Sequence, residues 1–502
     1  MTTYSSANAA AARRGFSLPR SAEVWFVALA LLATMLIPFI GKYQSADAPE
    51  SSPLVETIWT LMYLGAGIRL WQMRDVAVTL FKRSLPLLGF LALMFASSLW
   101  SVETTTIKKA IELAGTTAIG YYIVARFSLR DLLNILIIAF GVAGVASVAV
   151  IFGAPAHGRM DFGSGAWTGI FQEKNNLGAA MALAGISLFV LLFEPAKPKP
   201  PAAVRERAPG APQRGLLGEA GFGALWVLLL PFTLFNALGR RRALTAGVFV
   251  LAMGLLAGSA SATSLGAYAG VTLLLVTIWA CRSKRFGLAA RILTVAALVL
   301  GPLACLTFGL TPQSLFDLLG RESNLTGRTD FWPYLQQAIS ERPILGYGYD
   351  AFFRSQEGLD TLSYYVVEAG GWSPYHAHNS FLQILLDSGY VGLSVFGLVL
   401  LCAFWQSLVY AFRESERVAL WPLAILLYLF LGSFTETYYR SFNTIEWVVF
   451  VTAVLYPVRP RAQAATPNGP ADPLEFTSRD RLRRSSSGRR SARDRDRLRE
   501  TA

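Results

Sequence analysis

What most constrains this chain is the recurrence of long apolar blocks. From Ala22 onward, runs of roughly 17–25 residues with few charges follow one another, and that is the length a helix needs to cross the hydrocarbon core of a bilayer. Inside lipid every backbone N–H and C=O must be satisfied within the protein, so such blocks fold as spanning helices. The alternating pattern of an outer-membrane barrel strand is absent. The composition agrees: charged residues make up 15% of the 502-residue chain, against about 25% in a soluble protein. The expected fold class is therefore all-α, a polytopic transmembrane helical bundle with a long, partly helical outer loop.

Charge placement orients the blocks. Arg69, Arg74, Lys82 and Arg83, then Arg126 and Arg130, then Arg282, Lys284 and Arg285, then Arg413 and Arg417 fall between alternate blocks and mark the cytoplasmic side. This predicts about twelve spans with both termini cytoplasmic. Residues 1–21 read as a disordered cytoplasmic N-terminus, 22–193 as spans one to six, and 194–221 as a flexible cytoplasmic loop rich in Pro, Ala, Lys and Arg. Residues 222–310 hold spans seven to nine, with 222–238 as a possible re-entrant segment because both its flanks are basic. Residues 311–379 form the long outer loop, 380–457 spans ten to twelve, and 458–502 a disordered basic cytoplasmic tail. The net charge of +13 belongs to these loops and this tail, so it is no nucleic-acid footprint. The first block lacks a clean small-residue cleavage site and reads as a retained span. Cys281, Cys305 and Cys402 lie in or at the edges of apolar blocks without metal or redox spacing and read as free, buried thiols.

The polar groups worth attention collect on the outer face. His376 and His378, two of the three histidines, stand with Asn379 and Ser380 at the end of the long loop, just before the helix from Phe381 to Gly392. A titratable group at the mouth of a membrane helix is costly to place and marks a candidate site; a helix cap or interfacial anchor is the plain alternative. Loops this long are functional or disordered, and this one is rich in aromatics. Within it, Phe331, Trp332, Leu335 and Ile339 fall at helical spacing until Pro343, predicting an amphipathic helix on the membrane surface. Arg328 opens that helix, either as a planar clamp for an anion or as a structural partner of Glu322 or Asp330. Tyr347 and Tyr349, between glycines, either stack on a sugar or pack locally.

A second polar cluster precedes span six: Arg159, then Gly169 to Gly178 with Glu173, Lys174 and Asn175. It resembles the mouth of a cavity, or an interfacial anchor with Lys174 snorkelling. Lys108 and Glu112 read as a structural i,i+4 pair. Glu436 and Arg440, between the last two spans, face the same side but read as a surface pair. There is no metal-ligand cluster, Walker loop or dinucleotide fingerprint, so no cofactor is implied. Outward cations suit a pyrophosphate, and a histidine suits deprotonating a hydroxyl near neutral pH.

These residues resemble a known family. His378-Asn379, nine residues, Gly389, two residues and Gly392 follow the pattern of bacterial O-antigen ligases and the related O-antigen and exopolysaccharide polymerases. Arg328 resembles the family's loop arginine, with Trp332 at the fifth position of that motif, where ligases tend to have Leu. Gly169-x-Phe171-x-x-Lys174-Asn175-x-x-Gly178 resembles the segment entering the family's middle span. Together with His376-Ala377-His378-Asn379 it looks most like the exopolysaccharide-polymerase branch. The resemblance implies a metal-independent, inverting glycosyl transfer at the periplasmic face of the inner membrane. The donor would be a glycan on undecaprenyl diphosphate, and the acceptor a glycan or lipid A core. His378 would be the general base and Arg328 the holder of the leaving diphosphate. Arg159, Lys174, Asn175, Asn379 and His376 would bind substrate. Membrane lipids and other polysaccharide assembly proteins are the further partners implied. The rival reading, a flippase-type transporter of lipid-linked oligosaccharide, would put polar groups at mid-membrane and repeat its halves; neither pattern is seen.

Overall fold

A computed structural model describes residues 20–41, 53–160, 165–194, 240–282, 287–289, 292, 328–369, 373–439 and 442–460. The apolar blocks fold as helices: α1 (Arg20–Gly41), α2 (Pro53–Gln72), α3 (Arg74–Arg83), α4 (Leu85–Ala96), α5 (Thr106–Arg126), α6 (Leu129–Gly153), α7 (Lys174–Leu192), α8 (Arg240–Gly258) and α9 (Ala262–Arg282). The loop contributes α10 (Arg328–Glu341) and α11 (Gln356–Glu368), and the chain finishes with α12 (Ser380–Arg413), α13 (Trp421–Gly432) and α14 (Ile445–Leu455). No strand occurs among the described residues, and the protein is a polytopic α-helical membrane bundle.

Six described helices, α1, α6, α7, α8, α9 and α12, are long and apolar enough to cross a membrane. A seventh span is possible as the pair α3 and α4, bent by 87°. Helices α2 and α5 are long enough but more polar; α13 and α14 are shorter. The expected ninth span after Leu288 and the segment 222–238 lie outside the described residues. Arg242 Nη2 donates to the Glu194 carbonyl at 3.1 Å, so the chain leaves α7 and re-enters α8 at the same end of the bundle.

The burial pattern is that of a bundle in lipid. Helices α13 and α14 are buried on nearly all sides; a helix apolar all round belongs at the centre. At the periphery, Leu398, Leu401, Trp405, Leu408 and Phe412 form an exposed stripe spaced by three and four along α12, an apolar face that suits acyl chains rather than water. Some buried polar side chains pair between helices: Trp421 Nε1 donates to Ser187 Oγ at 2.8 Å, and Trp447 Nε1 to Thr117 Oγ1 at 2.9 Å. Cys281 and Cys402 are half-buried rather than buried, and Cys305 lies outside the described residues.

One end of the bundle is knotted by arginines. Glu23, fully buried on α1, accepts from Arg69 of α2 and, at 2.6 Å, from Arg126 Nε of α5. Glu194, after α7, accepts from Arg130 at 2.8 Å and from the Val418 N–H at 3.1 Å. Arg417 donates to the Phe193 carbonyl and Arg459 to that of Phe127. We call this the basic end. In α5, the ion pair of Glu112 is with Lys109, at 3.4 Å, while Lys108 reaches Glu56 of α2 at 2.6 Å, so the expected i,i+4 pair is replaced by an i,i+3 pair and an interhelical one.

At the opposite end the loop builds a small fold of its own. Phe331, Leu335, Ala338 and Ile339 of α10 are buried against Tyr347, Phe352, Leu362 and Tyr365, with Ala377 and Leu386. This corrects the expectation of a helix lying on the membrane: its apolar stripe is consumed by the loop's own core, to which α11, absent from the sequence reading, and the start of α12 both contribute. Tyr347 and Tyr349 are buried as well: Tyr347 packs locally in the loop's core, whereas Tyr349 enters the core of the bundle, its N–H donating to Ser97 Oγ at 2.9 Å. Tyr347 donates to the Ala338 carbonyl at 2.9 Å, and burial, reinforced by Glu341 and Glu357, pushes its phenol up to about 12.

The loop docks through a break in α12. Ser388 and Gly389 leave helical geometry, with Gly389 at φ +61°. Freed carbonyls of Leu386 and Asp387 accept from the N–H groups of Tyr347 (2.7 Å) and Gly348 (3.1 Å), while Tyr390 and Val391 donate to the Pro343 and Ile344 carbonyls. A Cβ on Gly389 would lie 2.2 Å from the Ile344 carbonyl oxygen, and one on Gly392 would strike Ser388. The helix read as running from Phe381 to Gly392 is therefore interrupted; Gly389 is where the loop is fastened, and Gly392 makes room for Ser388 at the break.

Candidate active site

The residues His376-Ala377-His378 form a short non-helical segment leading into α12. Asn379 caps the helix, its Oδ1 accepting from the N–H groups of Phe381 (2.9 Å) and Leu382 (3.1 Å), which satisfies donors that a helix start leaves open. Its Nδ2 donates to the Phe434 carbonyl at 3.1 Å. Asn379 thus works as a structural cap, and capping does not account for the histidines.

Both polar groups of Ala377 are held by side chains. Trp332 Nε1 of α10 donates to its carbonyl at 2.9 Å, and its N–H donates to Gln383 Oε1 at 3.0 Å. Gln383 in turn donates to Asp387 at 3.1 Å, fixing the amide's orientation. Between these clamps His378 is held at φ +47°, in the left-handed region that costs a side-chain-bearing residue energy and recurs at functional sites. Trp332 also ties this segment to the helix that Arg328 opens. The two residues are four apart, about 40° around the helix, so they share a face. Arg328 is the first residue of α10, and its side chain lies outside the described part.

The two imidazoles are in contact, their centroids 3.9 Å apart and their planes tilted by 53°. The His378 N–H donates to His376 Nδ1 at 3.0 Å, and the Thr437 hydroxyl lies 3.3 Å from the same nitrogen. A ring nitrogen that accepts a backbone N–H carries no proton, so Nδ1 is the acceptor of the His376 ring in this arrangement. His378 is 5% exposed, walled by Phe331 at 6.3 Å and Tyr375 at 6.2 Å. Its Nδ1 lies 3.7 Å from Glu436 Oε2, a carboxylate that is itself only 5% exposed. An acid beside Nδ1 orients the ring and leaves Nε2 for a reacting group.

Glu436 is the residue that sequence reading undervalued. It is buried, its expected partner Arg440 lies outside the described residues, and its nearest named neighbour is a histidine. The loop that carries it is stitched to the histidine segment: Ser380 N–H donates to the Ser433 carbonyl, Ser380 Oγ to the Glu436 carbonyl, and Tyr438 N–H to Ser380 Oγ. The signal was parity. A short loop between the last two spans must emerge on the same face as the long loop.

The second cluster joins the first at one point. Tyr375 Oη donates to Glu173 Oε1 at 2.7 Å, linking the histidine segment to the residue that precedes α7. Lys174 is the first residue of α7 and is half-buried, with Asn175 beside it. A lysine there sits against the positive end of the helix dipole, an arrangement that favours an anion. The helix start is closely packed: a Cβ on Gly178 would lie 2.8–3.0 Å from Ser261, Ser264 and Ser259, and Thr263 meets Thr435 at 2.9 Å. Arg159 stands in the strand-like pairing with Trp167, half-buried, over the Phe152 ring at 5.6 Å. Among the described residues, neither Arg159 nor Lys174 makes an ion pair, and no contact joins Arg159 to the histidines. The described residues hold no group of three or more His, Cys, Asp or Glu that could hold a metal ion.

Comparison with known proteins accords with this geometry. Residues 247–397, which run from α8 through the loop and the break in α12, match the family described as O-Antigen ligase. Over 348 residues, 67% of this chain and 69% of the relative, the sequence is 27% identical to the exopolysaccharide production protein ExoQ of Rhizobium meliloti (strain 1021). An 86-residue stretch, 17% of this chain and 21% of the relative, is 34% identical to a protein of Rickettsia prowazekii (strain Madrid E) named "Putative polysaccharide ligase". A similarly named protein of Rickettsia conorii (strain ATCC VR-613 / Malish 7) matches over the same length and to the same degree. The chain is a helical membrane protein whose residues 247–397 are similar to the family described as O-Antigen ligase, and which is similar over two thirds of its length to an exopolysaccharide production protein.

Proposed function

We propose that the protein is an inner-membrane glycosyltransferase that extends a polysaccharide at the periplasmic face, with both termini in the cytoplasm. The donor is a glycan on undecaprenyl diphosphate and the acceptor is a sugar hydroxyl on another lipid-linked glycan. The observation that carries the reading is the pairing of His378 with Glu436, in a nearly buried setting at the end of the bundle where Arg159 and Lys174 make no ion pair among the described residues. In this reading His378 Nε2 takes the proton of the acceptor hydroxyl, and Glu436 steadies the ring as it becomes charged. The acceptor oxygen attacks the anomeric carbon from the side opposite the diphosphate, a glycosidic bond forms with inversion, and the bond from that carbon to the diphosphate breaks. Arg328 and Lys174, with Arg159 as a more distant candidate, receive the charge that develops on the leaving diphosphate, and no metal is required for that role. Asn175 and His376 border the substrate, and undecaprenyl diphosphate departs into the membrane.

The magnitudes suit the assignment. A fixed donor aimed at developing charge is typically worth about 3–4 kcal/mol, and general-base help roughly 10²- to 10⁴-fold in rate. Polymerisation is favoured over ligation to lipid A core because the longer similarity is to an exopolysaccharide production protein, whereas that to the ligase-named proteins is confined to 86 residues. The test is made in cells that depend on this chain for polymer. His378→Ala and Arg328→Ala should leave the protein in the membrane and abolish polymer. Polymer of normal length and amount from His378→Ala would overturn the assignment. Loss of lipopolysaccharide capping with polymer intact would turn the reading to ligation.

A further inference from the structure

Two polar side chains on the first two turns of α12 take no part in the chemistry proposed above and are nonetheless almost fully buried: Gln383 and Asp387, each 1% exposed. Burying an amide and a carboxylate is costly unless both are hydrogen-bonded. The two stand four residues apart, the spacing at which helical side chains meet, and side chains on a helix lean toward its N-terminus. Gln383 reaches back beyond the helix start and accepts from the Ala377 N–H at 3.0 Å, while its Nε2 donates to Asp387 Oδ1 at 3.1 Å. The same Oδ1 accepts from the Asp350 N–H of the loop at 3.3 Å, and the Asp387 carbonyl accepts from the Gly348 N–H at 3.1 Å. A backbone N–H can only donate, so the Ala377 N–H fixes which end of the Gln383 amide faces it. The chain of bonds therefore starts where the loop is fastened and ends at the residue before His378.

We propose that Gln383 and Asp387 are positioning residues for His378: they hold the backbone at Ala377 so that the imidazole stands against Glu436, in register with the docked loop. This rests on the glycosyl-transfer reading above and adds to it the residues that aim the base. His378 sits at φ +47°, a conformation that persists only where the surroundings over-determine it. Gln383 on one side and Trp332 on the other supply that determination, holding the N–H and the carbonyl of Ala377. The aim is demanding. His378 Nδ1 lies 3.7 Å from Glu436 Oε2, so a small rotation of the segment decides whether the two groups come within hydrogen-bond reach. A misplacement of about 1 Å at a reacting group can cost roughly 10²-fold in rate. A pair that served the helix alone would close on α12; this one turns its acceptor to a non-helical segment six residues back and its carboxylate to the loop.

The test uses the full chain in detergent micelles, with undecaprenyl-diphosphate-linked glycan as substrate for kinetics. In parallel, NMR of the substrate-free protein with isotope-labelled histidine reads the rings directly, since the chain has only 3 histidines. Gln383→Met, which keeps the length and loses both bonds, should lower kcat roughly 10²-fold and leave KM within about twofold of wild type. It should also move the imidazole signal of His378 and leave that of His157 in place. Asp387→Leu should reproduce the loss, and Asp387→Asn, which keeps an acceptor oxygen, should recover most of the rate. Because the two residues act through one chain of bonds, Gln383→Met with Asp387→Leu should be no slower than Gln383→Met alone, whereas independent effects would multiply. Should Gln383→Met not accumulate in the membrane, Gln383→Glu, which still accepts from Ala377 but as a carboxylate cannot donate to Asp387, should show the same split between kcat and KM. A normal kcat, a raised KM in place of a lowered kcat, an unmoved His378 signal, or losses that multiply in the double variant would overturn the assignment. A wild type that releases no undecaprenyl diphosphate would overturn the glycosyl-transfer reading instead, and the His378 signal would then decide the positioning by itself.

Discussion

The two ends of the bundle use the same residue types differently. At the basic end, Arg69 and Arg126 share the buried Glu23, Arg130 holds Glu194, and Arg417 and Arg459 cap backbone carbonyls. At the histidine end, Arg159 and Lys174 make no ion pair among the described residues, and one buried carboxylate, Glu436, faces a histidine. A cation whose charge is already neutralised contributes to the fold; a cation left unneutralised beside a helix N-terminus is ready for an incoming anion. The contrast predicts that mutations at the two ends separate stability from turnover.

The largest stability effect is expected at the basic end. Glu23→Ala leaves two arginines without their shared buried partner, which should cost about 3 kcal/mol and lower the thermal midpoint in detergent, while the surviving folded protein turns over normally. Normal stability in Glu23→Ala would erase the distinction between the ends. Gly389→Ala comes next and should damage both properties at the fastening point. A positive φ costs roughly 1–3 kcal/mol for a side-chain-bearing residue, and the Cβ collides with Ile344. Limited proteolysis should then cut within 343–369, where wild type resists, and turnover should fall with it.

Glu436→Gln sharpens the comparison from the other side. It should lower kcat about tenfold, equivalent to about 1.4 kcal/mol in the barrier, without moving KM or the thermal midpoint. A shift in KM alone would make Glu436 a substrate contact. The smallest effect is a pH dependence of the loop fold. The buried Tyr347 phenol titrates at about 12 rather than its usual 10, so it must give up its proton less readily folded than unfolded. Its contribution is complete below pH 10 and is lost as pH rises from 10 toward 12. Tyr347→Phe should flatten that decline in protease resistance; an unchanged alkaline profile would assign it to other groups.

Much of the bundle was legible because lipid imposes a simple rule, and apolar length alone located most of the helices. The histidine segment stood out because polar groups at a span entrance are expensive. What the sequence hid was set by partners far along the chain. Glu23 meets arginines 46 and 103 residues away, and Lys108 chooses Glu56 over its helical neighbour. The stripe of α10 looked like a membrane-facing surface because α11, which covers it together with the start of α12, has a mixed composition that resembles loop. The break in α12 was present as Ser388-Gly389, yet the apolar run on either side read as one span. Glu436 was visible as an acid on the correct face, and only geometry separates a buried carboxylate beside a histidine from an ordinary surface pair.

The most direct measurement is made with purified protein and undecaprenyl-diphosphate-linked glycan, following the release of undecaprenyl diphosphate together with the lengthened glycan. Wild type should release one carrier for each glycosidic bond formed. His378→Ala, at unaltered thermal stability, should be slowed by at least about 10²-fold. Carrier release at the wild-type rate from His378→Ala would contradict the account.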